Sequence, residues 1–312
     1  MSAPTPSDCL PFVRADQLAH TPPEERWLIE SLWADQGVGV IGGSAKSLKT
    51  WLGLEMAVSV ATGTDCLGTF KVPHKGRVLL YLAEDCLTVG RERLDALCAH
   101  RQLALDTLDA YLITAPLLRL DDPLDIKRLE HTLTHLRPRL LLLDPFVRLH
   151  QADENNSQAV ASILATLREL QRVYSLAIIL VHHTRKNGRA RQHGQTLRGS
   201  GDLHAWGASN LYLTHEKNTL KVTIEHRAAP PPKPFHMALV GSPPHLDIVT
   251  SGMTPPPSLE ERIVMALEQS PVPLRRTELR ALLSVNNQRL GNVLCELETV
   301  GRIRRSKEGW RR

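Results

Sequence analysis

The chain has 312 residues, of which 42% are hydrophobic and 23% charged, with a formal net charge of +5. That length calls for one large core with an appendage, and that composition excludes a globally disordered chain. No run reaches membrane-span length and Met1 to Leu10 lacks the basic-then-apolar order of a signal peptide, so the expected setting is cytoplasmic, with no membrane partner.

Residues 1–26 carry Pro4, Pro6, Pro11, Pro22 and Pro23 and read as an irregular lead-in. Trp27, Leu28, Ile29, Leu32 and Trp33 then supply apolar groups expected to pack beside the glycine-rich turn that follows. The five cysteines, Cys9, Cys66, Cys86, Cys98 and Cys295, are scattered without a C-x-x-C pair. Reduced, mostly buried thiols are expected rather than disulfides or zinc ligands.

Gly42-Gly43-Ser44-Ala45-Lys46-Ser47-Leu48-Lys49-Thr50 lies between the apolar run 38–41 and the apolar segment 51–61, which stops at Thr62-Gly63. Strand, turn and helix in this order are the context of a phosphate-binding loop, whose backbone N–H groups and helix N-terminus wrap a triphosphate. Against G-x-x-x-x-G-K-[ST], Gly43, Lys49 and Thr50 fall in place, while Leu48 replaces the second glycine and Lys46 adds a second cation. The candidate nucleotide-binding residues are therefore Gly43, Ser44, Ala45, Lys46, Ser47, Leu48, Lys49 and Thr50. Taken alone, these residues also fit an ordinary strand–turn–helix with surface lysines.

The continuous apolar run 78–82 predicts a strand buried on both faces and ends in Glu84-Asp85. Carboxylates at the end of such a strand line the ligand crevice, where one orients an attacking water. The other reading is an acidic cap for a helix over 87–100, and each residue of the pair can serve one role. A short strand is expected at 111–114 and a helix at 123–137, with Ile126, Leu129, Leu133 and Leu136 on its core face. Leu140 to Leu143 then deliver Asp144, the pattern of a strand that brings a carboxylate to a Mg²⁺ shell beside Thr50.

A helix with Val160, Ile163, Leu164, Leu167, Leu170 and Val173 on one face leads to the strand 176–181, which ends in His182-His183. Two histidines at that position suggest a γ-phosphate sensor, with one of them a satisfied core histidine; a metal site lacks convincing further ligands. The loop 184–196 carries Arg185, Lys186, Arg189 and Arg191, which suit nucleic-acid contact or a solvated loop. Arg198 is a candidate for charge stabilisation in phosphoryl transfer. Residues 210–214 and 220–225 alternate as antiparallel strands that complete the sheet.

A phosphate loop, Ala83-Glu84-Asp85, Asp144-Pro145, His182-His183-Thr184-Arg185-Lys186 and Arg198-Gly199-Ser200 in this order resemble the RecA-like AAA-type ATPases of the RepA replicative-helicase family, over residues 27–225. The resemblance implies an α/β fold, a RecA-like P-loop core with a mainly parallel central sheet. It also implies ATP with Mg²⁺, and a homo-oligomeric ring, commonly a hexamer, acting on single-stranded DNA. Carried over by motif, Lys49 and Thr50 bind phosphate and Mg²⁺, Glu84 is the general base and Asp144 holds the metal through water. One of His182 and His183 senses the γ-phosphate. The chain departs from the family at Leu48 and in Leu203 to Ser209, where no arginine stands at the position of the inter-subunit finger.

Residues 229–257 are proline-rich and read as a connector with possible edge strands, separating an ATPase domain at 27–228 from a unit at 258–312. That unit begins with a capping box at Ser258 and predicts three helices, with Leu290, Val293, Leu294, Leu297 and Val300 at core spacing in the third, followed by a basic ribbon. It resembles a winged helix. Its third helix would present Arg289 to a DNA groove, and Arg302, Arg304, Arg305 and Lys307 would meet phosphates. A winged helix that binds protein is the other reading. The expected activity is ATP hydrolysis in plasmid, phage or mobile-element DNA metabolism. The alternative is a nucleotide-dependent DNA-binding regulator or adaptor with weak turnover. A small-molecule kinase is disfavoured because no lid motif is visible.

Overall fold

A computed structural model describes residues 12–18, 22–153, 157–184, 202–249, 257, 259–283, 285, 287–306 and 308–312. β1 (Trp27–Ile29) and β2 (Trp33–Ala34) form a small antiparallel pair. β3 (Val38–Gly43) runs into α1 (Lys49–Thr62), and β4 (Val78–Leu82) is followed by α2 (Leu87–His100). β5 (Ala110–Leu112), α3 (Pro123–Leu136), β6 (Leu140–Asp144), α4 (Ser157–Tyr174), β7 (Ala177–His183) and α5 (Asp202–Trp206) come next. β8 (Ser209–Glu216), β9 (Thr219–His226), β10 (Phe235–Val240) and β11 (His245–Val249) complete a nine-stranded sheet, in the order β11-β10-β9-β8-β3-β7-β6-β4-β5.

From β8 to β5 every neighbouring pair is parallel, and from β8 to β11 every pair is antiparallel. The parallel strands are almost wholly apolar because helices cover both faces. Alternation sends Ile41, Leu142, Ile179 and Val181 to one face, which packs on α1 and α2. Val40, Leu141, Leu143, Ile178 and Leu180 go to the other, which packs on α3 and α4. The result is a three-layer, RecA-like α/β core.

Local signals set the helix ends. Asp122 accepts a hydrogen bond from the Leu124 N–H with Pro123 in the first turn, so α3 starts there. Gly63 closes α1 in the left-handed region, its N–H donating to the Ser59 carbonyl.

Several expectations are corrected. Trp33 donates from its indole to the Gly37 carbonyl and packs over Gly39, and Trp27 meets His226 at 4.9 Å. The Trp33 contacts lie at the start of β3, so Trp33 packs about 13 Å of strand away from the glycine-rich turn rather than beside it. The short strand is Ala110–Leu112, and β7 carries both histidines at its carboxyl end. Of the four described cysteines, Cys66 and Cys98 are buried but Cys86 and Cys295 are exposed, because Cys86 precedes α2 and Cys295 stands on the outward face of the helix at 287–299. Within the proline-rich stretch 229–257, β10 pairs with β9 at the sheet edge, and Met237 and Leu246 enter the main core.

Beyond the sheet, α6 (Leu259–Gln269), α7 (Arg276–Leu283) and α8 (Asn287–Thr299) surround a core of Ile263, Leu267, Leu279, Leu290, Leu294, Leu297 and Ile303. A two-stranded ribbon, β12 (Arg304–Arg305) and β13 (Trp310–Arg311), closes against Leu274, which exchanges two backbone hydrogen bonds with Trp310. This core shares no residue with the two sheet cores. Ser258 and Lys307 lie outside the described residues, and nothing is described of the Arg289 side chain.

Candidate nucleotide site

β3 ends in the centre of the sheet and turns through residues 43–48 into α1. A Cβ on Gly43 would stand 2.5 Å from Ser47 Oγ and 3.0 Å from the Leu213 carbonyl, so the turn can pass here only without a side chain. Ser47, 1% exposed, donates to the Ser44 carbonyl at 2.8 Å and holds the loop closed. Lys46 (φ +62°) and Leu48 (φ +57°) both adopt the left-handed region. Leu48 therefore takes the backbone conformation for which glycine is the usual residue. Its half-buried side chain packs on the main core.

Lys49 opens α1 and is buried, its Nζ donating to the Ser44 carbonyl at 2.7 Å. Burial lowers its pKa to about 8 against the opposing pull of Asp144 and Glu84. The Thr50 hydroxyl faces Asp144 at the end of β6, two strands away from β3. Burial raises the Asp144 pKa to about 6, with Asp85 and Glu84 adding to the rise while Thr50 and Lys49 oppose it. Asp144 Oδ2 is buried with no hydrogen-bond partner in the described structure. An orphaned carboxylate oxygen beside a threonine hydroxyl is a donor set that suits a hard divalent cation.

Leu82 pairs with Asp144 in register, so β4 releases Ala83-Glu84-Asp85 at the same edge. Neither carboxylate caps α2, whose N-cap residue is Cys86 without a side-chain hydrogen bond. Asp85 is instead gripped by Arg93, at 2.5 Å and 3.2 Å from the two guanidinium nitrogens. The Arg93 guanidinium also lies 5.8 Å from the Trp51 ring centroid. Glu84 accepts from Arg148 Nε at 2.9 Å. Arg93, Trp51 and Arg148 belong to none of the sequence motifs. The only signal for Arg148 was a basic residue in the turn that leaves an acid-tipped strand.

His182 and His183 pair in register with Gly42 and Gly43. His182 is buried and meets the Phe146 ring edge-on at 6.0 Å, on the α4 side of the sheet. His183 is half-buried and falls on the α1 side, the side of the glycine-rich turn. Arg185, Lys186, Arg189, Arg191 and Arg198 lie outside the described residues. In the C-terminal unit Arg302, Arg304 and Arg305 are exposed, and Arg305 stacks 5.6 Å from the Trp310 ring centroid.

A family model described as an AAA domain matches residues 3–189, more than half of the chain. The chain belongs to this AAA domain family. The match takes in the glycine-rich turn, the strand ends that carry Glu84 and Asp144, and the two histidines. This AAA domain is thus a nucleotide-binding P-loop ATPase, with Lys49, Thr50, Asp144 and Glu84 converging where its parallel strands end. The match stops before β8 and does not reach the C-terminal unit. Among the described residues no helix is long and apolar enough to cross a membrane, and no group of three or more His, Cys, Asp or Glu could hold a metal ion.

Proposed function

We propose that this AAA domain protein binds and hydrolyses ATP in DNA metabolism, in the manner of RepA-type replicative helicases. The observation that carries the reading is the gathering of Lys49, Thr50, Asp144 and Glu84 at the carboxyl ends of β3, β6 and β4. The loop amides and α1 receive the phosphates, with Gly43, Ser44, Ala45, Lys46, Ser47 and Leu48 forming the cradle. Lys49 exchanges the Ser44 carbonyl for a phosphate oxygen, and with a pKa of about 8 it remains largely protonated at neutral pH.

Thr50 and Asp144 hold Mg²⁺, which when bound supplies charge neutralisation at the phosphates. Glu84 accepts the proton of the attacking water. His183, on the side of the turn, is the better placed of the two histidines to report the γ-phosphate, and His182 supports it from the core. Arg198 adds positive charge at the transition state, from its own subunit or a neighbour's in a homo-oligomer. The basic loop with Arg185, Lys186, Arg189 and Arg191 meets single-stranded DNA. The three helices and ribbon at 259–312 act as a winged helix, with Arg289 in a groove and Arg302, Arg304, Arg305 and Lys307 on phosphates.

A second reading, a nucleotide-dependent DNA-binding adaptor with weak turnover, draws on Leu48 in the position of the missing glycine and on Lys49 folded back onto Ser44. Steady-state ATP hydrolysis with Mg²⁺, with and without single-stranded DNA and beside Lys49→Ala, separates the two. Turnover that rises with DNA and is lost in Lys49→Ala supports the motor. Wild-type turnover at the level of that variant, with nucleotide still bound, supports the adaptor.

A further inference from the structure

The turn that leaves β6 is anchored from both ends. Phe146 and Leu149 are fully buried and His150 is 4% exposed. The Phe146 ring packs against His150 at 4.5 Å. The turn closes through Arg148 N–H to the Pro145 carbonyl at 3.1 Å and Leu149 N–H to the Phe146 carbonyl at 2.9 Å. The Leu149 carbonyl in turn accepts from the Leu120 N–H at 2.7 Å. Arg148 rises from this fixed turn into solvent, and its Nε reaches Glu84.

An ion pair whose members are 63% and 46% exposed contributes little to stability. Its consequence lies in where it holds the carboxylate. The Glu84 charge is felt by both Lys49 and Asp144, so it sits over the site. Its neighbour Asp85 is committed to Arg93. An unheld glutamate at a strand end samples several rotamers, and few of them present an oxygen to a water in line with a phosphate.

We propose that Arg148 is a positioning residue for Glu84: its guanidinium fixes Oε1, leaving Oε2 directed at the attacking water. The inference rests on the reading of Glu84 as general base. The proton passes from water to Oε2 as the water oxygen bonds to the γ-phosphorus and the bond to the ADP oxygen breaks. Arg148 itself exchanges no proton and touches no substrate.

The test is ATP hydrolysis with Mg²⁺ by the full chain, for wild type, Arg148→Gln, Arg148→Lys, Glu84→Gln and the Arg148→Gln/Glu84→Gln pair, with Lys49→Ala as baseline. Single turnovers with enzyme in excess reach the slow variants. Arg148→Gln is expected to lower kcat about ten- to a hundredfold while the KM for ATP stays near that of wild type. Arg148→Lys restores part of the rate. In the Glu84→Gln background Arg148→Gln costs nothing further, because its effect runs through the carboxylate. Melting curves for Arg148→Gln should overlay those of wild type, since the side chain is exposed. Wild-type turnover with an unimpaired or faster Arg148→Gln, or an equal loss in the Glu84→Gln background, overturns the inference alone. Wild-type turnover no higher than that of Lys49→Ala overturns the hydrolysis reading and the inference with it.

Discussion

Leu48 shows how a single residue can break the pattern of a motif and keep its shape. A left-handed backbone costs an L-residue about 1–2 kcal/mol, which is why glycine usually stands there. Here the half-buried leucine side chain packs on the main core, and partial burial of that much apolar surface returns about 1 kcal/mol. Leu48→Gly removes the strain but also removes the packing, and it adds roughly 0.5–1 kcal/mol of chain entropy. The three contributions nearly cancel, so urea unfolding of Leu48→Gly should match wild type to within about 1 kcal/mol. Leu48→Ala keeps the strain and loses the packing, and should be the less stable of the two variants by about 0.5–1 kcal/mol. An alanine variant as stable as wild type would mean that the side chain does not support the loop.

At the scale of elements, strand ends gather the candidate site because each buried strand carries its polar cargo to the same edge. The cost shows at Asp144, whose pKa of about 6 lies above the ordinary 3.8. The folded protein holds that proton more tightly than the unfolded chain, so the associated stability is fully present below pH 3.8 and is lost as pH rises through about 6. Asp144→Asn abolishes this dependence. Without nucleotide or Mg²⁺, the variant should exceed wild type in unfolding free energy by about 3 kcal/mol in mildly alkaline buffer, while its turnover is lost. The gap should begin to close as the buffer is acidified through about 6 and be gone below 3.8. A constant gap at every pH would assign the effect to packing and not to ionisation. The runs at 78–82 and 140–143 made these strands and their carboxylates legible, since burial on both faces leaves no other sequence solution. The pairings Glu84–Arg148 and Asp85–Arg93 were not legible in the sequence. The first joins residues 64 positions apart, and the second depends on how α2 leans on its strand. Neither periodicity nor motif spacing encodes such contacts. Trp33 was placed wrongly for the same reason: its burial could be read from the sequence, but not the end of β3 that it covers.

The whole molecule has two kinds of core, and their separation makes the division of labour testable. The sheet and its helices share no core residue with the unit built from α6, α7 and α8, and β11 closes the sheet at Val249. A chain ending at Val249 therefore keeps every contact that holds Lys49, Thr50, Glu84 and Asp144. Such a truncation should melt close to the main transition of the full chain and retain nucleotide binding. It discards Arg302, Arg304, Arg305, Lys307, Arg311 and Arg312, a run whose charge suits a polyanion. If the ribbon meets DNA phosphates, affinity at low salt falls on truncation. The slope of log affinity against log salt also becomes shallower, by about 0.7–0.9 for each phosphate contact removed. Fluorescence anisotropy with labelled single- and double-stranded oligonucleotides over a salt series reads both effects. A truncated chain with unchanged affinity and slope would assign DNA contact to the core and leave the C-terminal unit as a protein-docking module. A loss confined to the duplex would assign duplex contact to that unit and single-strand contact to the core.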